Sequence, residues 1–190
     1  MQRLVVIGAS LGGLTTLRTI LQGLATTFSA PIAIVQHRHK ESKTGMTKAL
    51  QLHSPLPIRE VEDKDAILPG YVYLAPADYH LLVEPDHFVL SVDEPVSYAR
   101  PSIDVLFESA AESYAEQTIG VILTGANQDG ALGASAIKAQ GGTIIVQEPT
   151  TATSAVMPTA ALNQTTADWV LPPTQIARRL NALCSVSSLT

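Results

Sequence analysis

The sequence predicts an α/β fold in which a doubly wound, mostly parallel sheet lies between helices on both faces, in three layers. Short, continuous apolar runs alternate along the chain with segments of helical periodicity, and such runs are typical of strands buried on both faces of a sheet. Of the 190 residues, 46% are hydrophobic and 15% are charged, which suits one domain with a sizeable core. We therefore expect a single domain over residues 1–190.

The first half of the chain predicts four strands, two helices and a hairpin. Its apolar runs predict strands over residues 4–8, 32–36, 58–61 and 71–75. A second helix is expected within residues 44–53, and alternating segments at 80–84 and 87–92 predict a small antiparallel hairpin. The first helix is predicted by leucines at spacings of three and four: Leu14, Leu17, Leu21 and Leu24.

The second half continues the alternation of helices and buried strands. Strands are expected over residues 119–123, 143–147 and 169–171, and helices over residues 131–140 and 174–183. The threonine-rich segment 148–157 is expected to be a loop. A further helix is expected to begin after Ser102 as its N-cap. The buried stripe of that helix would consist of Ile103, Leu106, Phe107, Ala110 and Tyr114.

Charge, hydropathy and cysteine content exclude several classes of protein. The formal net charge is −5 and no basic tract is present, so nucleic acid is not an expected partner. No apolar run reaches the roughly 20 residues of a membrane span, and no signal peptide is recognised, so membrane insertion is not expected. Cys184 is the only cysteine, which fits a reducing compartment. We expect a cytoplasmic protein.

Three polar segments, residues 8–13, 36–39 and 124–130, follow three of the most apolar strands. Ligands of doubly wound sheets bind outside the carboxyl ends of the strands, so these segments are expected to converge on one site. The first segment matches G-x-S-x-G between a strand and a helix, the context of an exposed serine nucleophile. Ser10 is the predicted nucleophile, His37 its base, and Asp129 the acid that orients the imidazole.

Three other kinds of protein share parts of this pattern: an α/β-hydrolase, a nucleotide-binding oxidoreductase and a non-enzymatic binding module. An α/β-hydrolase is disfavoured, because no histidine follows His87 and an acid late in the chain therefore cannot precede the base. A glycine-rich turn after a first strand more often binds a nucleotide phosphate than holds a nucleophile, so this motif alone would favour a nucleotide-binding protein. An oxidoreductase is nevertheless disfavoured, since no tyrosine has a lysine four residues later and no acidic residue ends the second strand. His39 competes with His37 for the role of base, and a non-enzymatic binding module remains an alternative.

With these motifs in hand, the chain resembles the catalytic domain of the chemotaxis protein-glutamate methylesterases, the CheB family. The resemblance spans nearly the whole chain. Six motifs carry it in order: residues 6–13 (VIGASLGG), 35–37 (VQH), 73–81 (YLAPADYHL), 100–107 (RPSIDVLF), 123–133 (LTGANQDGALG), and 141–147 (GGTIIVQ) with Met157-Pro158.

The resemblance implies hydrolysis of methyl esters on glutamate side chains of methyl-accepting chemotaxis receptors, and deamidation of some receptor glutamines, through an acyl-enzyme on Ser10. It also implies an oxyanion hole formed by the backbone N–H groups of Leu11 and Ala126. No metal and no cofactor is expected. The receptor would be the protein substrate.

The chain departs from the family pattern at several points. Arg38-His39 stands where the family usually has Met-Pro, and Ala126 where it usually has methionine. Family members usually carry an N-terminal receiver domain, whereas here the first predicted strand begins at residue 4. We therefore expect either a stand-alone catalytic domain or one cut at its boundary, with a separate response regulator as a candidate partner. His80 is expected either to line the cleft or to have a structural role at the start of the hairpin, and no chemical step is assigned to it. Arg100 is expected either to contact an acidic receptor surface or, more simply, to be a solvated side chain before a helix.

Overall fold

The structure, a computed structural model, describes residues 3–38 and 45–185. Seven parallel strands form its main sheet, and the predicted fold class is confirmed. The strands are β1 (Leu4–Ala9), β2 (Ile32–Gln36), β3 (Ile58–Glu60), β4 (Val72–Leu74), β7 (Thr118–Ile122), β8 (Thr143–Gln147) and β9 (Trp169–Leu171). Their spatial order is β3-β4-β2-β1-β7-β8-β9.

Six helices cover the two faces of this sheet in the described part of the chain. They are α1 (Gly13–Gln22), α2 (Met46–Gln51), α3 (Ile103–Tyr114), α4 (Ala131–Ala139), α5 (Val156–Gln164) and α6 (Pro173–Cys184). Side chains of β1 alternate between the faces: Val5 and Ile7 join the core under α1, α2 and α6, while Leu4 and Val6 join the core under α3, α4 and α5. Both faces are therefore buried, which is why the strands read as continuous apolar runs.

The small hairpin is present as predicted, with β5 (His80–Val83) paired antiparallel to β6 (Phe88–Ser91). Leu81, Val83 and Phe88 are buried in the core beneath α3. The hairpin thus packs on the same side of the sheet as α3. None of the helices within the described ranges is long and apolar enough to cross a bilayer.

Three details of the sequence-based prediction were wrong or incomplete. Residues 148–157 are not all loop, because α5 begins at Val156 and a 3-10 turn covers Pro149–Thr151. Ser102 does occupy the N-cap position of α3, but its hydroxyl caps no backbone N–H of that helix and instead donates to Asp129 Oδ1. Tyr114 is only half-buried, with its hydroxyl donating to the Pro85 carbonyl.

Gly8, near the end of β1, sets how closely α3 approaches the sheet. A Cβ at this position would overlap Ile103 Cγ2 and lie 2.9 Å from Cδ1 of the same side chain. We expect Gly8→Ala to lower the free energy of unfolding by about 2 kcal/mol, because overpacking must displace the start of α3. Urea unfolding measures this loss. The same substitution made in an Ile103→Ala background should cost clearly less, and an equal cost in both backgrounds would contradict the steric explanation.

Candidate active site

The order of strands brings three loops together at one edge of the sheet. β1 lies between β2 and β7, so the strands that follow β1 in the chain are added first on one side of it and later on the other. In doubly wound sheets a crevice forms where the strand order reverses in this way. Backbone hydrogen bonds continue past the strand ends: Ser10 N–H donates to the Thr124 carbonyl and His37 N–H to the Ala9 carbonyl, both at 2.9 Å. An open cavity of about 710 Å³ lies there, and its walls include Ser10, His37 and Asn127.

Asp129 is fully buried and its carboxylate accepts four hydrogen bonds. Oδ2 accepts from His37 Nε2 at 2.8 Å and from the Ile103 N–H at 2.7 Å. Oδ1 accepts from the Ser102 hydroxyl at 2.8 Å and from the Asp104 N–H at 2.9 Å. Burial alone would raise the pKa of Asp129, but the hydrogen bonds from His37, Asp104 and Ile103 outweigh it and hold the pKa below its ordinary value.

Asp129 and Asp104 cap each other's helices. Asp129, just before α4, receives the first N–H groups of α3, while Asp104, in the first turn of α3, receives the Gly133 N–H of α4 at 2.7 Å. Each carboxylate therefore satisfies N–H groups that have no partner within their own helix. This reciprocal cap fixes the loop that carries Asp129 against the start of α3.

Asp104 is nearly fully buried and titrates above its usual range. Burial raises its pKa from 3.8 to about 6, with the bond from Gly133 opposing the rise and the Asp129 charge adding to it. A folded-state pKa above the unfolded value means that the native state binds the proton more tightly. This group's contribution to stability is therefore full below about pH 4 and is lost as the pH rises through about 6.

Asp104→Asn should remove that pH dependence. Because the amide cannot ionise, we expect the stability of the variant relative to the unsubstituted chain to rise by about 2 kcal/mol between pH 4.5 and pH 7.5. Urea unfolding of both proteins at the two pH values measures this double difference, which cancels any constant effect of the amide. Parallel stability curves for the two proteins would show that Asp104 does not titrate in this window.

His37 has a defined tautomer in this arrangement. Its Nε2 faces the acceptor-only Asp129 carboxylate at 2.8 Å, so Nε2 carries the hydrogen. The lone pair of the ring is therefore on the other nitrogen, Nδ1, which lies 3.3 Å from Asn127 Nδ2. The side chain is 13% exposed. Nδ1 is thus the nitrogen that can accept a proton.

Ser10 lies in a tight turn between β1 and α1. Gln36 Nε2 donates to its carbonyl at 2.9 Å, and Gly12 adopts a positive φ of 80° that lets α1 begin directly afterwards. Within residues 3–38 and 45–185, the Ser10 hydroxyl makes no hydrogen bond, so its link to His37 is not formed in this state, although both line the cavity.

The two predicted oxyanion donors lie in two different loops, Leu11 in the loop after β1 and Ala126 in the loop after β7. Leu11 follows Ser10 and lines the cavity, and Ala126 is exposed on the loop after β7. In the described part of the chain, neither backbone N–H is taken by a protein acceptor. The oxyanion hole that these two N–H groups would form stays a prediction.

A family model described as CheB methylesterase matches residues 5–180. The chain belongs to the CheB methylesterase family. The predicted resemblance is confirmed, and with it the expectation of a methylesterase-type enzyme.

The relatives of this chain include proteins of similar length and proteins about twice as long. A putative protein-glutamate methylesterase/protein-glutamine glutaminase of Leptospira interrogans is 48% identical over 174 residues, covering 91% of this chain and 90% of that protein. The corresponding Thermotoga maritima enzyme is 37% identical, and the match covers 94% of this chain but 53% of that protein. The crystal structure of the Thermotoga maritima CheB methylesterase catalytic domain has a TM-score of 0.93 at 36% identity, covering 96% of this chain and 99% of that one.

Three polar residues singled out in the sequence are held by protein partners: Arg38 and Arg100 line the cavity, whereas His80 is not among the described residues that line it. Arg38 lines the cavity with a nearly buried side chain that pairs with Glu60, and Arg100 pairs with Asp78. His80 is buried, with Nε2 bonded to a carbonyl and Nδ1 accepting a backbone N–H. All three have structural contacts in this state. His39, the competing base, lies outside the described residues.

Asn127 and Asp104 were not identified as site residues from the sequence. Both lie in motifs that were, residues 124–130 and 100–107. Each had a signal in the sequence. Asp104 is an acidic residue in the first turn of a predicted helix, and Asn127 is an asparagine in a glycine-containing loop, where its side chain can accept the backbone N–H two residues on.

Proposed function

We propose that this chain removes methyl esters from glutamate side chains of methyl-accepting chemotaxis receptors, and deamidates receptor glutamines, by acyl transfer through Ser10, His37 and Asp129. The hydrogen-bonded His37–Asp129 pair beside Ser10, in a family whose relatives are named for both activities, carries the proposal. We further propose that residues 1–190 form one catalytic domain acting in the cytoplasm.

Acylation begins when Ser10 Oγ attacks the ester carbonyl. His37 Nδ1 accepts the hydroxyl proton, and Asp129 stabilises the imidazolium through the bond to Nε2. The four hydrogen bonds on Asp129 keep it ionised, so it can act as an anion at neutral pH. The backbone N–H groups of Leu11 and Ala126 bind the developing oxyanion, where each donor is worth about 3 kcal/mol.

Collapse of the tetrahedral intermediate requires a proton for the leaving group. His37 Nδ1–H donates it to the departing methoxide oxygen, which leaves as methanol, or, when the substrate is a glutamine, to the departing amide nitrogen, which leaves as ammonia. Water then attacks the acyl-enzyme with Nδ1 again acting as base, which regenerates Ser10 and releases a glutamate side chain.

The test is release of methanol from a methylated receptor fragment, combined with labelling by a fluorophosphonate and mapping of the label by mass spectrometry. We expect methanol release and a single label on Ser10. Ammonia release from a fragment carrying glutamine at the same site tests the second activity. Absence of both methanol release and label would favour a non-enzymatic binding module and overturn the proposal.

Control by a separate response regulator is tested in the same assay. Addition of the phosphorylated regulator should raise the rate of methanol release if such a partner controls this chain. Equal rates with and without the regulator would remove the partner from the proposal while leaving the chemistry intact.

A further inference from the structure

Asn127 bridges the proposed base and the proposed acid. Its Nδ2 lies 3.3 Å from His37 Nδ1, and its Oδ1 accepts a hydrogen bond from the Asp129 N–H at 3.2 Å. The side chain is half-buried and lines the same cavity as Ser10. Both ends of one amide are therefore engaged inside the site.

The contact with Asp129 determines which end of the amide faces His37. A backbone N–H can only donate, so it must meet the amide oxygen, and the amide nitrogen is left pointing at Nδ1. Nε2 of His37 already donates its hydrogen to the Asp129 carboxylate. Nδ1 consequently carries the lone pair, and the Asn127 amide donates to it.

That lone pair is the one that must accept the Ser10 proton. While it accepts from Asn127 it is less available to the Ser10 hydroxyl, which makes no hydrogen bond within the described ranges of the chain. Once Nδ1 is protonated, the ring N–H and the Asn127 amide would be two donors facing each other. The Asn127 contact therefore favours the resting base over the protonated one.

We propose that Asn127 is a positioning residue that holds His37 in a resting state, with its amide bonded to the Nδ1 lone pair until the Ser10 hydroxyl replaces it. This inference rests on the proposed function, because it takes Nδ1 as the base for Ser10. The Asn127 amide would slow acylation of Ser10, so removing the amide should make Ser10 more reactive.

The discriminating variant is Asn127→Ser. A serine hydroxyl can still accept the N–H two residues on, which keeps the turn at Asp129, but it is too short to reach Nδ1. We expect labelling of Ser10 by a fluorophosphonate to become roughly 2- to 10-fold faster, the range of one neutral hydrogen bond. Labelling at the unsubstituted rate or slower would overturn the proposal.

Asn127→Asp tests the opposite direction. Its second carboxylate oxygen would face Nδ1 in place of the amide nitrogen, and would hold a proton there instead of a lone pair. We expect slower labelling than in the unsubstituted chain at neutral pH. Faster labelling would contradict the proposed contact. Gln128→Ala, which changes the exposed neighbour, serves as the matched control and should label at the unsubstituted rate.

A second measurement separates this proposal from the proposed function. In a Ser10→Ala background, the Nδ1 nitrogen resonance of His37 is compared with and without Asn127→Ser. We expect the chemical shift of Nδ1 to move toward that of a ring nitrogen whose lone pair accepts no hydrogen bond from the protein. An unmoved resonance would overturn the Asn127 contact even if Ser10 is the nucleophile, whereas absence of labelling with a shifted resonance would overturn only the proposed function.

Discussion

Ser10→Ala is expected to lower the rate of methanol release by about 10⁴-fold or more. Without Oγ no acyl-enzyme can form, and what remains is binding and oxyanion stabilisation of direct attack by water. Stability should change by less than about 0.5 kcal/mol, because the Ser10 hydroxyl makes no hydrogen bond within the described residues. The assay is methanol release from a methylated receptor fragment, with urea unfolding of the same preparation.

Ser113→Ala is the matched control for that experiment. Ser113 lies near the end of α3, where its hydroxyl donates to the Val83 carbonyl, away from the ends of the strands that carry the site. We expect a small loss of stability and an unchanged rate. A Ser10→Ala protein that keeps a tenth or more of the native rate would remove Ser10 as the nucleophile.

Asp129→Asn is expected to damage both catalysis and folding. The carboxylate accepts two hydrogen bonds on each oxygen, whereas an amide offers one oxygen and one N–H₂ group. In either orientation the N–H₂ faces a backbone N–H that can only donate, from Ile103 or from Asp104. We therefore expect a loss of about 3 kcal/mol in the free energy of unfolding. Methanol release should fall by about 10⁴-fold, because a neutral amide does not stabilise the charge on His37 and, where its N–H₂ faces Nε2, favours the wrong tautomer.

The control for this substitution is Asp168→Asn. Asp168 also accepts a backbone N–H, from Ile144, and pairs with Lys138, but it lies beside β9 and is partly exposed. An exposed pair of this kind contributes about 1 kcal/mol or less, so we expect a small effect on stability and none on rate. If Asp129→Asn unfolds no more easily than Asp168→Asn, the four-bond description of Asp129 is wrong.

The sheet and the convergence of the three polar segments could be predicted because both follow from strand burial. Strands buried on both faces are nearly continuous apolar runs, and β1, β2 and β7 are apolar apart from Gln36 at the end of β2 and Thr118 at the start of β7. Parallel strands end on the same edge, so the residues that follow them meet there. The contact between His37 and Asp129 is a consequence of that geometry.

What could not be predicted depends on side-chain direction and on short elements. Helix α5 has no long apolar stripe, since only Met157, Pro158 and Ala161 are buried, and its proline lies in the first turn, where no intrahelical N–H bond is needed. Ser102 has the residue type and position of a cap, yet Asp129 from another loop performs that function. Such long-range partners leave no periodic signal in the sequence.

Asp129 has a structural role as the cap of α3 besides its proposed catalytic role, and this affects what its presence in a related chain indicates. A descendant that lost its activity would still need a carboxylate at position 129, because α3 would otherwise lose its cap. The Ser10 hydroxyl has no comparable structural role, so a chain that no longer needs the activity could replace this serine without losing stability. Among members of this family, a serine at this position is therefore a better mark of a working enzyme than the aspartate.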